Sequence, residues 1–121
     1  MKLSAAIPII RIFSEEKAKE FYVDFLGFNI DWEHRFEANF PLYAQVTRSG
    51  MTLHLSEHHG DATPGSAVFI PVEDIDALHQ ELQAKKYKYA KPEIETVGWG
   101  RLLQVMDPFG NRLRFCELSE D

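Results

Sequence analysis

The feature that most constrains this chain is that it repeats itself at a spacing of sixty residues. Residues 50–57, GMTLHLSE, fall on residues 110–117, GNRLRFCE, without a gap. At the same spacing Ser14 falls on Asp74, Ile10 and Ile12 fall on Ile70 and Val72, and residues 43–46 fall on residues 103–106. Helix caps, strand phases and turn glycines that match at one spacing predict two copies of one supersecondary unit.

Each copy reads as βαβββ. In the first, residues 7–13 form a strand, with Pro8 near its start or on an edge because it has no N–H to donate. Ser14 is an N-cap, and Glu15 and Glu16 suit the positive end of a helix. Ala18, Phe21, Tyr22, Phe25 and Leu26 form one helical stripe, which Gly27 ends. Residues 28–35, 42–47 and 51–56 follow as strands, the last two joined at Ser49-Gly50. In the second copy, residues 67–72 are a strand and Asp74 caps a helix that buries Ile75, Leu78 and Leu82. A strand is expected within the weakly patterned residues 87–97. Strands at 102–106 and 111–118 flank the turn Asp-Pro-Phe-Gly-Asn, whose Asp107 and Asn111 bond local backbone. The reading is one α+β domain over residues 1–121, with modules at 5–57 and 66–118 and a polar loop at 58–66.

Composition narrows the function. At 45% hydrophobic and 12% aromatic the chain can build a core rather than stay disordered. A net charge of −6 argues against nucleic acid as a general partner. The single cysteine, Cys116, excludes an internal disulfide, and no histidine stands at a spacing that would make it a nucleophile. The first eleven residues carry too short an apolar run for a signal peptide or a membrane span, so a cytoplasmic location with no membrane partner is expected. The stretch Lys85-Lys86-Tyr87-Lys88-Tyr89 reads as a helix end leading to a lysine-protected edge strand. His58 and His59, adjacent in a polar loop, point apart and read as solvated.

Two βαβββ modules, an early FYVDFLGF at residues 21–28 and a late DPFGNRLRF at residues 107–115 resemble the vicinal oxygen chelate superfamily. That superfamily includes glyoxalase I, extradiol dioxygenases, fosfomycin-resistance enzymes and bleomycin-resistance proteins. The stretch GWGRLLQVMDPFGNRLRFCE at residues 98–117 is most similar to the bleomycin-resistance branch, as is Pro8. The resemblance implies that each module curls its mixed sheet into half of a concave, half-barrel cavity, and that the protein is a homodimer. It further implies metal-ligand positions at Ile7, His54, Ala67 and Arg114. Only one of these offers an imidazole, two offer no donor, and the fourth carries a fixed positive charge. No metal or other cofactor is therefore expected.

Several residues are candidates for ligand binding. Thr52, His54 and Ser56 make a polar strand face opposite Met51, Leu53 and Leu55, and Arg114 stands where His54 stands in the other copy. Glu93 or Glu95 could pair with that arginine. Trp99 lies between two glycines and Trp32 lies among charges, with Asp31, Glu33 and Glu37 nearby. In the bleomycin-resistance branch, aromatics at these positions flank a planar part of the drug, and acidic residues suit its cationic tail. Stacking adds roughly 0.5–1.5 kcal/mol per aromatic pair. Micromolar binding needs about −8.2 kcal/mol, so two rings require further burial and charge.

The expected function is a metal-independent, non-enzymatic homodimer that sequesters a planar, partly cationic small molecule, with N-terminal strands exchanged between subunits. A divalent-metal-dependent, glyoxalase-like lyase or transferase is the alternative, and a ligand-free interaction module is a third reading.

Overall fold

The computed structural model describes residues 1–120. They form two compact units, Met1–Pro64 and the remainder from Gly65 onward. The first unit runs β1 (Ile9–Arg11), α1 (Glu15–Lys19), a π-helical turn (Glu20–Phe25), β2 (Asn29–His34), β3 (Tyr43–Arg48) and β4 (Met51–Ser56). The second runs β5 (Ala67–Pro71), α2 (Ile75–Lys85), β6 (Ile94–Val97), β7 (Gly100–Met106) and β8 (Arg112–Leu118). Each unit is a four-stranded mixed sheet, ordered β1-β4-β3-β2 in the first and β5-β8-β7-β6 in the second.

The repeat is written into the register. Ile9 faces His54 in the parallel pair of the first unit, and Phe69 faces Arg114 in that of the second. The caps also repeat: Ser14 Oγ accepts from the Lys17 N–H at 3.1 Å, and Asp74 Oδ1 accepts from the Ala77 N–H at 3.1 Å. On the third strand of each sheet, however, the spacing of sixty fails. His54 faces Gln45, but Arg114 faces Gln104, so β3 maps onto β7 at a spacing of 59. Burial follows the shorter spacing, with Ala44 and Val46 matched by Leu103 and Val105. A slip of one residue turns every side chain to the other face, so the ungapped match of residues 43–46 with 103–106 pairs inward residues with outward ones.

The turns explain the slip. In the first unit Arg48 pairs with Met51 across Ser49-Gly50, whose φ angles of 51° and 81° are those of a two-residue hairpin turn. In the second, Met106 pairs with Arg112, and the intervening residues are held by side chains. Asp107 Oδ1 accepts from the N–H groups of Phe109 and Asn111, and Asp107 Oδ2 accepts from Asn111 Nδ2, all at 2.8 Å. Asn111 Oδ1 in turn accepts from the Gly65 and Ser66 N–H groups at 3.1 Å, and both Asp107 and Asn111 are buried.

The first helix is not α-helical throughout. From Glu20 it widens into a π-helical turn, and the Leu26 N–H donates to the Phe21 carbonyl five residues back. The stripe expected of it is buried, and Phe21 and Tyr22, although adjacent, are both fully enclosed. Arg48 Nη1 donates to the free Leu26 carbonyl at 2.6 Å, and Gly27 leaves the helix at a φ of 74°. Of the expected strand in residues 87–97, only Ile94–Val97 is paired. The lysine- and tyrosine-rich stretch before it is turn rather than edge strand. No helix among the described residues is long and apolar enough to cross a membrane.

Candidate functional site

The helix of each unit covers one face of its sheet and leaves the other open. In the first unit α1 lies over Ala44, Val46 and Leu55, and a small cavity beneath it is lined also by Lys19, Ile30 and Glu33. In the second, α2 sits on the face that carries Arg101 and Glu117. Arg101 binds both carboxylate oxygens of Asp76, at 2.8 and 2.9 Å, and Glu117 Oε1 accepts from the Ile75 N–H. The open faces carry the remaining chemistry.

On the open face of the first unit, five side chains join in one hydrogen-bonded line. Tyr43 Oη lies 2.7 Å from His54 Nδ1, and His54 Nε2 lies 2.9 Å from Gln45 Oε1. Gln45 Nε2 donates to Asp31 Oδ2, and Thr47 Oγ1 donates to Asp31 Oδ1, each at 3.0 Å. The direction of the line is fixed by its end. The Asp31 carboxylate only accepts, so the Gln45 amide turns its NH2 to Asp31 and its oxygen to His54. His54 therefore donates from Nε2, and with a neutral ring it accepts at Nδ1 from Tyr43. Burial, and secondarily the Asp61 carboxylate, raise the Tyr43 hydroxyl above its ordinary value and keep it a donor.

Trp32 joins this face through an irregularity. The register of β2 slips between Ile30 and Trp32, so Ile30 pairs with the buried Val46 while Trp32 pairs with Gln45. The Trp32 ring stacks on Tyr43, with centroids 6.1 Å apart and planes 11° apart, and meets His54 edge-on at 5.5 Å. It remains 42% exposed. The slip at residue 31 also lets the Asp31 carboxylate reach Gln45 and Thr47 on the same face.

Glu33 does not join them. It faces Ala44 on the helix side of the sheet and pairs with Lys19 at 3.2 Å. Lys19 and Arg35 both bind Glu15 in the same cluster. The Lys19 hydrogen bond leads in holding the Glu15 carboxyl below its ordinary value, and Glu15 leads in raising Lys19. Glu37 lies exposed in the connection between β2 and β3, where its carbonyl accepts from the Phe40 N–H at 2.9 Å. Of the three acidic candidates, only Asp31 stands beside Trp32.

In the second unit, Arg114 Nε donates to Gln104 Oε1 at 2.9 Å. The glutamates expected as its partners lie elsewhere: Glu93 is 3.7 Å from His79, and Glu95 faces Leu102 on β6. Trp99 sits at the tip of the two-residue connection between β6 and β7, 58% exposed, and its carbonyl accepts from the Ser119 N–H at 2.9 Å. Gly100 beside it is obligatory, because a Cβ there would lie 2.2 Å from the Glu117 carbonyl oxygen.

The sequence reading missed Tyr43, Gln45, Thr47 and Gln104. The signal for the first three was the alternation along β3, in which polar Tyr43, Gln45 and Thr47 interleave with apolar Ala44 and Val46, and for Gln104 it was its place between the apolar Leu103 and Val105 on β7.

The residues at the superfamily's metal positions do not fit a divalent cation. Of the four expected positions, His54 has both ring nitrogens engaged, Arg114 carries a fixed positive charge, and Ile7 and Ala67 offer no donor; the strand partners of His54 and Arg114 are instead Ile9 and Phe69, which offer none either. Among the described residues no three His, Cys, Asp or Glu converge on one point.

A family model described as glyoxalase superfamily protein matches residues 1–121. No curated protein matches the chain. Among solved structures, it is similar to a bleomycin-binding protein from Streptomyces verticillus complexed with copper(II)-bleomycin. That match has 32% identity and a TM-score of 0.68, covering 98% of this chain and 99% of the other. It is also similar to TnmS3, an antibiotic-binding protein from Streptomyces sp. CB03234, at 24% identity and a TM-score of 0.75, covering 98% and 99%. A glyoxylase/bleomycin resistance protein/dioxygenase domain from Frankia sp. EAN1pec matches at 18% identity and a TM-score of 0.78, covering 98% and 95%.

Proposed function

This chain belongs to the glyoxalase superfamily, near its bleomycin-resistance branch, and from that premise we propose that it is a metal-independent binding protein for a planar, partly cationic antibiotic. The observation that carries the reading is the Trp32 ring, half open above Tyr43 and His54 and next to the Asp31 carboxylate. A flat aromatic ligand stacks on such a ring, and a cationic group nearby meets the carboxylate. The hydrogen-bonded line behind the ring holds it in one orientation, which lowers the ordering cost of binding. Trp99 offers a second exposed ring, and Glu37 a second carboxylate on a loop.

The metal-independent part rests on the donor set, which a zinc, nickel or iron site would need to fill with more than one imidazole. The proposed assembly is a homodimer with exchanged N-terminal strands. It is supported by the exposed rings of Phe13, Phe36 and Phe40 and by the three-residue edge strand β1 after Pro8.

Elemental analysis and a fluorescence titration test this together. Purified protein is expected to carry no stoichiometric transition metal, and metal-free bleomycin is expected to quench its tryptophans saturably. Trp32→Ala should weaken that binding tenfold or more, about 1.4 kcal/mol, at a stability cost near the roughly 1 kcal/mol of one stacked pair. Stoichiometric zinc, nickel or iron, or the absence of binding by bleomycin and other planar cations, would overturn the reading.

A further inference from the structure

Two arginines on the open face of the second unit have no acidic partner among the described residues. Arg112 and Arg114 alternate with the buried Leu113 and Phe115 on β8, so both point away from α2. Arg114 spends only its Nε, on Gln104, and neither guanidinium forms an ion pair with any described residue. Glu117, the nearest acid to Arg114 in sequence, faces α2, where it binds the Ile75 N–H, and Asp107 is buried and occupied by its own turn. Glu95 is on the same face but two strands away, beyond Gln104 and Leu102.

The surroundings are apolar and exposed. Phe69, the strand partner of Arg114, is 48% exposed, and Met106, the partner of Arg112, is 55% exposed. In a chain of net charge −6, two neighbouring cations without counter-charges between exposed apolar side chains need a reason. An arginine bound at Nε keeps its two terminal nitrogens free. Holding the fork in one plane suits it to grip both oxygens of a carboxylate.

We infer that Arg114, positioned by Gln104 and assisted by Arg112, is a recognition site for the carboxylate of an aromatic acid, whose ring rests on Phe69 and Met106. This site lies wholly in the second unit and goes beyond the planar-cation reading, which draws on Trp32 and Asp31 in the first. Here the carboxylate meets the fork while a flat apolar body covers the exposed side chains. Gln104 has the same place as Gln45, but it holds a cation toward solvent where Gln45 relays an imidazole to Asp31.

Calorimetric titration of the full chain with three matched probes tests the inference: 2-naphthoate, 2-naphthamide and 2-naphthylmethylammonium. The wild type should bind 2-naphthoate at least tenfold more tightly than 2-naphthamide. Arg114→Gln should abolish that preference, and Arg112→Gln should reduce it. Arg114→Lys should leave an intermediate preference, because it keeps the charge and loses the fork. All three variants should melt as the wild type does, since neither guanidinium is buried. Equal affinity for 2-naphthoate and 2-naphthamide, or a preference that survives both Gln variants, would overturn the inference. Binding of 2-naphthylmethylammonium through Trp32 without any naphthoate preference would overturn it alone and leave the proposed function standing. The reverse pattern would uphold it and remove the planar-cation reading.

Discussion

His54 and Arg114 hold the same position in two copies of one unit, each facing a glutamine on the neighbouring strand. The imidazole is engaged at both nitrogens, inside a line that ends on Asp31. The guanidinium is engaged at Nε alone and opens toward solvent. The same backbone pairing thus yields a closed polar network in one unit and a free cation in the other. The difference lies in the neighbours. Tyr43 and Trp32 accompany His54, whereas the residues in the corresponding surroundings of Arg114 are Leu102 and a strand β6 that begins only at Ile94. Strand order follows from the repeat, and chemistry follows from which side chains the open face receives.

The turns sharpen the comparison most. The second unit depends on the Asp107 carboxylate, which three donors address, two of them the buried groups of Asn111, whereas the first closes its hairpin on the backbone conformation of Ser49 and Gly50. Asp107→Ala should destabilise the chain by about 3 kcal/mol or more, because it strands buried donors as well as losing their bonds. Ser49→Ala, in the matching turn of the first unit, should cost less than about 1 kcal/mol. Chemical denaturation measures both, and equal costs would mean that the two turns work alike.

A smaller effect tests the line on the first unit's open face. Tyr43→Phe removes the donor to His54 Nδ1 and keeps the ring under Trp32, at a cost of about 1 kcal/mol. Gln104→Ala in the second unit releases an exposed hydrogen bond and should cost about 0.5 kcal/mol or less. Thermal melts of the two variants should therefore separate.

The smallest expected effect is on acid stability. In the first unit Glu15 lies below its ordinary value of 4.5, chiefly through the Lys19 hydrogen bond. In the second, Asp76 lies below 3.8 through Arg101. A lowered carboxylate contributes stability that is fully present above its unfolded value and is lost as pH falls through its folded value. Glu15→Gln should thus flatten the decline in melting temperature below pH 4.5, and Asp76→Asn should do so less, being more exposed. Unchanged acid limbs in both variants would remove this contribution.

Much of the fold was legible in the sequence because caps, apolar stripes and turn glycines are local signals that repeat. Ser14, Asp74 and the stripe from Ala18 to Leu26 are where they were expected. The widening of the first helix at Glu20 was not legible, since a π turn buries the same residue types as an α turn. Nor was the spacing of 59 between β3 and β7, because alignment without gaps conceals a turn that is one residue longer. Glu33 looked like a neighbour of Trp32 in sequence, but adjacent residues on a strand face opposite ways, and Lys19 holds it on the helix side. Trp32 itself reaches the open face through a register slip for which the sequence has no plain mark.

The central claim is that the first unit's open face binds a planar cation without metal, and a titration of chelator-treated protein tests it most directly. Metal-free bleomycin is added to the wild type and to Trp32→Ala, and the affinities are compared with the melting temperatures. The account predicts saturable binding by the wild type in the presence of EDTA. It also predicts at least a tenfold loss in Trp32→Ala, about 1.4 kcal/mol, with a stability cost near the roughly 1 kcal/mol of one stacked pair. Binding that appears only when a divalent metal is restored, or that is unchanged in Trp32→Ala, would contradict it.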